Sequence, residues 1–317
     1  MLLALLAALP ALLPGAPLAH AQEPPRGDAG PFAWQAPEPV LDRVRAITAT
    51  AGEELARIES WLGLPPSPAG TLTWVEDRAA FERALGAPAP EWFAAVTIPA
   101  QRRILIQTDK APGQTQLLET FRHELVHWAM QGVGDRAWSN LPAWFHEGVA
   151  ETWARTDPLS QYASPLAWRA FRGELPSLSR YREGFGVEPL GASEGYALGY
   201  AFVKRLVRIH GEGVLAALLA RVRGGASLDH ALVETTGKSL VTHEEELRRE
   251  LGSWSALLAE IYPQLFLGIA LFALAVAPLA RAMRRRRRLA YEAKWAREDA
   301  ALADEDGEED DRWIRLP

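Results

Sequence analysis

Residues 123–127 read His123-Glu124-Leu125-Val126-His127, and this short stretch determines how the rest of the chain is interpreted. The two histidines are four positions apart, so on a helix both imidazoles lie on one face and can bind one metal ion. Glu124 lies one step round the helix, where a carboxylate can act as a base. Chance can also produce five such residues on an amphipathic helix, so a functional interpretation requires a third ligand and a suitable fold.

The residues around this motif predict a helix over Gln114–Met130. Leu117, Phe121 and Leu125 recur at helical spacing, and Gly132 follows the last apolar turn as a stop signal. Elsewhere the pattern predicts helices over 40–62, 79–85, 143–154, 165–172, 194–210, 212–222 and 240–251, and strands over 71–75, 93–98 and 103–107. The predicted fold class is therefore α+β, with a small antiparallel or mixed sheet followed by a mostly helical part that carries the motif.

A catalytic zinc ion usually has three protein ligands, so the motif needs one more. The chain has no cysteine, which leaves histidine and carboxylate side chains as ligands. The extended metzincin pattern would require a histidine where the chain has Val133. Glu147, on the next predicted helix, is the better candidate, and Glu151 one turn later can accept the free N–H of a ligand histidine. Gly148 is expected to let this helix pack closely against the first.

Residues 144–151 read Trp-Phe-His-Glu-Gly-Val-Ala-Glu and add a second motif to the first. Together the two motifs resemble the gluzincin zinc metallopeptidases, and within them the bacterial peptidase MA-like domains. In those domains the second helix carries a tryptophan, then Glu-Gly, then Ala-Glu. The resemblance covers roughly residues 70–250, and it implies a gluzincin-like metallopeptidase fold.

The resemblance also implies a role for each matching residue. His123, His127 and Glu147 would bind Zn²⁺, and Glu124 would be the catalytic base. Glu151 would hold a ligand histidine in place. These roles match the family pattern position by position.

The segment 196–203 is similar to the helix that follows the zinc site in such domains. Tyr196 and Tyr200 are its candidates for stabilising the oxyanion, with a packing role as the equal alternative. The resemblance further suggests that an extended peptide substrate pairs with the edge strand of the sheet, predicted to be Arg103–Gln107. The chain has no Gly-x-Met-Glu-Asn type of motif, so an endopeptidase is favoured over an aminopeptidase.

The other histidines of the predicted domain have no predicted role in the site. His146 adjoins a ligand but is expected to point elsewhere on its helix. His210, His230 and His243 lie in polar helical contexts near turns, and we interpret them as surface or capping residues.

Two apolar segments predict where the chain is located. Residues 2–18 are apolar and precede Ala19-His20-Ala21, which is typical of a secretory signal peptide, although an uncleaved anchor stays open. Residues 261–280 provide about 20 uncharged positions, enough for a transmembrane helix, with a buried core helix as the alternative. The arginines at 281–288 would place that end of the helix in the cytoplasm.

The predicted segments are a signal peptide over 1–21, a proline-rich linker over 22–39, an extracytoplasmic domain over 40–255, a single transmembrane helix over 261–280 and a cytoplasmic tail over 281–317. The tail begins basic, which favours anionic lipid headgroups, and ends acidic. The formal net charge of −6 argues against nucleic acid as a partner, since phosphate neutralisation needs a domain-wide basic excess. The expected partners are a peptide or protein substrate and the membrane, and the sequence identifies no protein partner.

The motifs favour a membrane-anchored zinc peptidase that hydrolyses peptide bonds outside the cytoplasm. Two other functions stay open. A catalytically silent membrane receptor or scaffold could keep the fold and bind peptides, but the intact Glu124 argues against it. A purely structural zinc domain would need a fourth protein ligand to close the metal.

Overall fold

The computed structural model describes residues 26–154, 166, 168–185, 189–253 and 269–297, and for residues 189 and 190 it describes the backbone alone. The chain divides into two compact units, Met1–Leu257 and Leu258–Pro317. The predicted signal peptide at 1–21 lies outside the described residues, as do the end of the tail at 298–317 and residues 261–268 of the predicted transmembrane helix.

The first unit contains a small mixed sheet. Its strands are β1 Arg26–Ala29, β2 Phe32–Gln35, β3 Gly70–Val75, β4 Ala95–Ile98 and β5 Arg103–Gln107. In the described residues they form one sheet in the order β1-β2-β3-β5-β4. β1 pairs with β2 and β4 pairs with β5 in antiparallel fashion, whereas β3 is parallel to both β2 and β5. β4 is therefore an edge strand.

The strand β5 is interior, so the prediction that Arg103–Gln107 forms the edge is wrong. It lies between β3 and β4, and Ile104, Leu105 and Ile106 are all fully buried. Three consecutive buried apolar side chains mean that both faces of the strand are covered, which is typical of an interior strand. The outer position belongs to β4, whose residues before Ile98 are only partly buried.

Residues 26–35 lie within the segment predicted as a linker over 22–39, but they form the β1–β2 hairpin and extend the sheet. Phe32 is 1% exposed and packs against Trp128, with ring centroids 5.2 Å apart. Gly30 turns the hairpin with a φ of +61°, a value that suits glycine. The linker prediction is wrong for this stretch because the surrounding prolines obscure its short apolar alternation.

Apart from the sheet, the described part of the first unit is mostly helical, and some of its helices lie between the strands in the chain. They are α1 Leu41–Ala49, α2 Ala51–Leu62, α3 Arg78–Leu85, α4 Gln114–Met130, α5 Asp135–Asn140, α6 Ala143–Ala154, α7 Pro189–His210, α8 Val214–Arg223, α9 Leu228–Thr236 and α10 Leu240–Leu251. The predicted bounds of α4, α6 and α10 are confirmed. The helix predicted over 40–62 is two helices that meet at Thr50, and α9 is absent from the prediction.

Helices α6 and α7 cross at a pair of glycines. A Cβ on Gly148 would lie 2.4 Å from the carbonyl oxygen of Gly199, and a Cβ on Gly199 would lie 2.3 Å from that of Trp144. The backbones are in contact, with no room for a side chain. The expectation that Gly148 packs against the motif helix is wrong, because Glu147 faces that helix and the next position points to another side.

We expect Gly199→Ala to lower the melting temperature by about 2–12 °C, since overpacking costs about 1–3 kcal/mol in a domain of this size. The new methyl group would push α6 away from α7. Gly213→Ala is the matched control, because Gly213 has a φ of −70° and an added Cβ meets no atom within 4 Å. Thermal unfolding followed by circular dichroism measures both. Equal melting temperatures in Gly199→Ala and wild type would contradict tight packing at this crossing.

Residues 269–297 of the second unit are helical. The transmembrane helix predicted over 261–280 is thus described from residue 269 onward. Among the described residues, no helix combines the length and the apolar character that are needed to cross a membrane.

Candidate metal centre and active site

His123 and His127 lie on α4 and Glu147 lies on α6, and their side chains converge. Nε2 of His123 is 3.0 Å from Nε2 of His127 and 3.0 Å from Oε2 of Glu147. The same Glu147 oxygen is 3.3 Å from Nε2 of His127. Elsewhere in the described residues no three metal-binding side chains come together in this way. The three residues could therefore hold one metal ion.

These residues fit a zinc ion in number, chemistry and spacing. Ligand atoms bound at about 2.0–2.1 Å in tetrahedral geometry lie about 3.3 Å from one another, close to the separations seen here. Two imidazoles and one carboxylate are a donor set of catalytic zinc sites, which keep a fourth position for water or substrate. Among the described residues, no fourth His, Cys, Asp or Glu side chain joins this group.

Glu151, one turn after Glu147, holds the ring of His123 from the opposite side. Its Oε1 is 3.2 Å from Nδ1 of His123, and the residue is 4% exposed. A carboxylate at Nδ1 orients the imidazole and favours the tautomer that leaves Nε2 free for a metal.

Charge and burial act in opposite directions on the pKa values of this group. Burial lowers the pKa of His123, but hydrogen bonds with Glu147 and Glu151 outweigh it and raise the pKa well above its ordinary value. Burial raises the pKa of Glu147, but the charge of His127 and hydrogen bonds from both histidines lower it well below its ordinary value. Both shifts reflect the close approach of the two histidines to the Glu147 carboxylate.

Glu124 lies on the side of α4 that faces the edge strand β4, and it is 5% exposed. The hydroxyl of Thr97, on β4, lies 2.7 Å from Oε2 of Glu124 and 3.1 Å from the Glu124 carbonyl oxygen, and it can donate to either. Glu124, the predicted catalytic base, is thus in contact with β4, the edge strand of the sheet.

A cavity of about 500 Å³ opens beside the three convergent side chains. The predicted site residues among its lining are His123, Glu124, His127, Glu147, Glu151 and Tyr196. Residues 92–97, which include the first part of β4, also line it, and the aromatic rings of Trp92 and Phe185 contribute apolar surface. The volume lies in the range of ligand pockets, about 300–1,000 Å³, and suits part of a peptide.

The two tyrosines predicted for the site have different surroundings. Tyr196 lines the cavity, with its ring centroid 6.2 Å from that of His123 and stacked on Phe185 at 4.7 Å. Tyr200, one turn later, is 4% exposed, is not among the cavity residues, and accepts a hydrogen bond from Lys204 at 2.5 Å. Tyr196, which lines the cavity, is therefore the better candidate for stabilising the oxyanion.

Two histidines differ from their predicted surroundings. His146 does not point away from the site: it is 3% exposed, lines the cavity and has Nε2 3.2 Å from the Trp138 carbonyl oxygen. Burial, followed by the charge of His127, lowers the pKa of His146 to about 4. His243 is not a surface residue but is 1% exposed, with Nε2 2.7 Å from the Thr236 hydroxyl. Helix α6 has apolar residues on nearly all sides, which is typical of a buried helix and could have indicated that His146 is buried.

A buried carboxylate behind the site joins three helices. Glu54, on α2, is 3% exposed and forms an ion pair with Arg122 of α4 at 3.0 Å. It also accepts a hydrogen bond from Nε1 of Trp153, on α6, at 2.9 Å and pairs with Arg57 at 2.5 Å. We call these four residues the Glu54 cluster. Arg122 immediately precedes His123, so the cluster fixes both ligand-bearing helices from outside the cavity.

Comparison with known proteins identifies the family of the domain that contains this group. The model of the Peptidase MA superfamily matches residues 50–251, which include all three convergent side chains, Glu124, Glu151 and Tyr196. A search of curated proteins finds no match. The match covers more than half of the chain and contains the helices that build the site. The protein therefore belongs to the Peptidase MA superfamily and carries a peptidase-like domain of that superfamily.

Proposed function

We propose that this protein is a membrane-anchored zinc peptidase that hydrolyses peptide bonds outside the cytoplasm. The observation that carries the proposal is the convergence of His123, His127 and Glu147 within 3.3 Å of one another, beside a nearly buried Glu124 and an open cavity. Three ligands of this kind suit a catalytic ion rather than a structural one.

In the proposed reaction, His123, His127 and Glu147 would hold the zinc ion. When bound, zinc supplies a Lewis acid that polarises the scissile carbonyl and makes a neighbouring water more acidic. Glu124 would accept a proton from a water molecule as the oxygen of that water bonds to the carbonyl carbon, and it would pass the proton to the nitrogen of the leaving amine as the C–N bond breaks. Tyr196, whose ring centroid is 6.2 Å from that of His123, would donate a hydrogen bond to the carbonyl oxygen as negative charge develops on it.

The edge strand β4 suits an extended peptide substrate. Ala94 accepts a hydrogen bond from the backbone N–H of Gln107, at 2.8 Å. In an antiparallel pair the bonded residues alternate, so the peptide groups of Ala95 and Thr97 point away from β5, towards the open side. A substrate strand can pair with these groups, and an endopeptidase is favoured because such pairing does not require a chain terminus.

Membrane anchoring is the part of the proposal that rests on the second unit and on the amino-terminal segment. The signal-like residues 2–21 support export, and the uncharged segment 261–280 followed by arginines supports a single membrane crossing with a cytoplasmic tail. In the described part of that segment, apolar side chains such as Phe272 and Leu274 are exposed, as suits contact with lipid.

Metal removal tests the proposed chemistry. We expect a mixture of unstructured peptides to be cleaved by the purified full-length protein, and we expect a chelator to abolish cleavage because the open ligand group then has no ion. Addition of about one equivalent of Zn²⁺ should restore the rate, and mass spectrometry of the products locates the cleaved bonds. A folded, zinc-loaded protein that cleaves none of the peptides and binds no hydroxamate would instead support the silent scaffold.

A further inference from the structure

The contact between Thr97 and Glu124 connects the edge strand to the predicted base. A hydroxyl has one hydrogen to donate, and the two available acceptors are the Glu124 carboxylate at 2.7 Å and the Glu124 carbonyl oxygen at 3.1 Å. The carbonyl lies inside α4, where it accepts the usual helical hydrogen bond, and the carboxylate is nearer. The stronger bond is therefore the charge-assisted one to Oε2.

We propose that Thr97 is a positioning residue that holds the Glu124 carboxylate in its catalytic orientation. Its hydroxyl occupies Oε2, which leaves Oε1 to face the water molecule from which a proton is taken. The proposal rests on the proposed peptidase function. It adds a residue that neither of the two sequence motifs contains.

The position of Thr97 on β4 gives this contact a second consequence. Its peptide group points to the open side of the strand, whereas its side chain points to Glu124. One residue therefore contacts both the backbone of an extended substrate and the base. Pairing of the substrate with β4 and alignment of the base are set by the same short piece of backbone.

Two substitutions separate the hydroxyl from the shape of the side chain. Thr97→Val keeps the branched shape and strand preference but removes the donor, whereas Thr97→Ser keeps the donor and removes a methyl group. Thr152→Val is the matched control, because Thr152 is not among the cavity residues and donates its hydroxyl to the carbonyl oxygen of Gly148 in its own helix, at 2.6 Å.

We expect Thr97→Val to lower kcat by about 10- to 100-fold with KM changed by less than about 3-fold, since a misdirected base slows proton transfer without removing substrate contacts. Thr97→Ser should keep at least about a third of the wild-type kcat, as should Thr152→Val. Bound zinc, measured by elemental analysis, should be the same in all four proteins. A loss that is equal in Thr97→Val and Thr97→Ser would overturn the proposal, because it would indicate packing rather than the hydroxyl.

A second measurement keeps this proposal distinct from the proposed function. Crystal structures of the metal-free variants should show the Glu124 side chain in its wild-type rotamer in Thr97→Ser and in a different rotamer in Thr97→Val. An unchanged rotamer in Thr97→Val overturns the positioning role, whether or not the protein is active. An inactive, zinc-loaded wild type with this rotamer difference would instead reject the peptidase function and keep the structural role of Thr97.

Discussion

Glu124→Gln is expected to reduce the rate of peptide hydrolysis by at least about 100-fold, which is the lower range for loss of a general base. An amide has nearly the shape of the carboxylate, but it cannot accept a proton from water. Glu124 is not one of the three side chains that could hold the metal, so bound zinc should not change. Initial rates with a fluorogenic peptide and the zinc content of the same samples measure both effects.

The matched control for this variant is Glu119→Gln. Glu119 lies on the same helix and lines the same cavity, but the proposed reaction gives it no proton to transfer. Its rate should stay within about 3-fold of wild type. A Glu124→Gln protein that hydrolyses peptide as fast as wild type would exclude Glu124 as the base, even if the protein proves to be a zinc peptidase.

Glu147→Ala should reduce bound zinc from about one ion per chain to less than about a tenth, because two imidazoles alone make an incomplete site. Glu151→Gln keeps an acceptor for Nδ1 of His123 but loses the charge, and should weaken zinc binding by about 10- to 100-fold. Competition with a zinc-chelating dye measures both affinities. Glu183→Ala is the control, since Glu183 lines the cavity with a side chain that is 85% exposed.

These variants distinguish a metal site from a chance cluster of side chains. Retention of a full equivalent of zinc by Glu147→Ala would show that this carboxylate is not a ligand. Loss of zinc from Glu183→Ala to the same extent would indicate that the cavity binds the ion through general negative charge. Circular dichroism confirms in each case that the variant is folded.

Local periodicity made most of the site predictable. His123 and His127 share a helix face because of their spacing, and the predicted bounds of their helix are those of α4. Glu147 and Glu151 lie one turn apart, so a correct helix brings both towards His123. The helical repeat places His123 beside His127 and Glu147 beside Glu151, but only the resemblance to the gluzincins indicated that the two helices would bring these pairs together. The roles proposed for these residues stay predictions.

Features that depend on contacts between distant segments were not predictable in this way. The sequence pattern of one strand does not show which strands it pairs with. The pattern therefore could not indicate that β4 lies outside Arg103–Gln107 in the sheet. Nothing near Gly148 in the chain indicates that Gly199 is its partner. The contact between Thr97 and Glu124 is unpredictable for the same reason, since 27 positions separate the two residues in the chain. Each of these features depends on tertiary packing rather than on a local pattern.

The Glu54 cluster also affects how the proposed zinc site would be filled and emptied. Arg122 and Trp153 tie both ligand-bearing helices to α2 from outside the cavity, so folding itself brings the three ligand atoms together. Small zinc domains, in contrast, fold only when the metal draws their ligands into place. We therefore expect the metal-free protein to stay folded, and we expect it to bind Zn²⁺ again after a chelator has removed the ion.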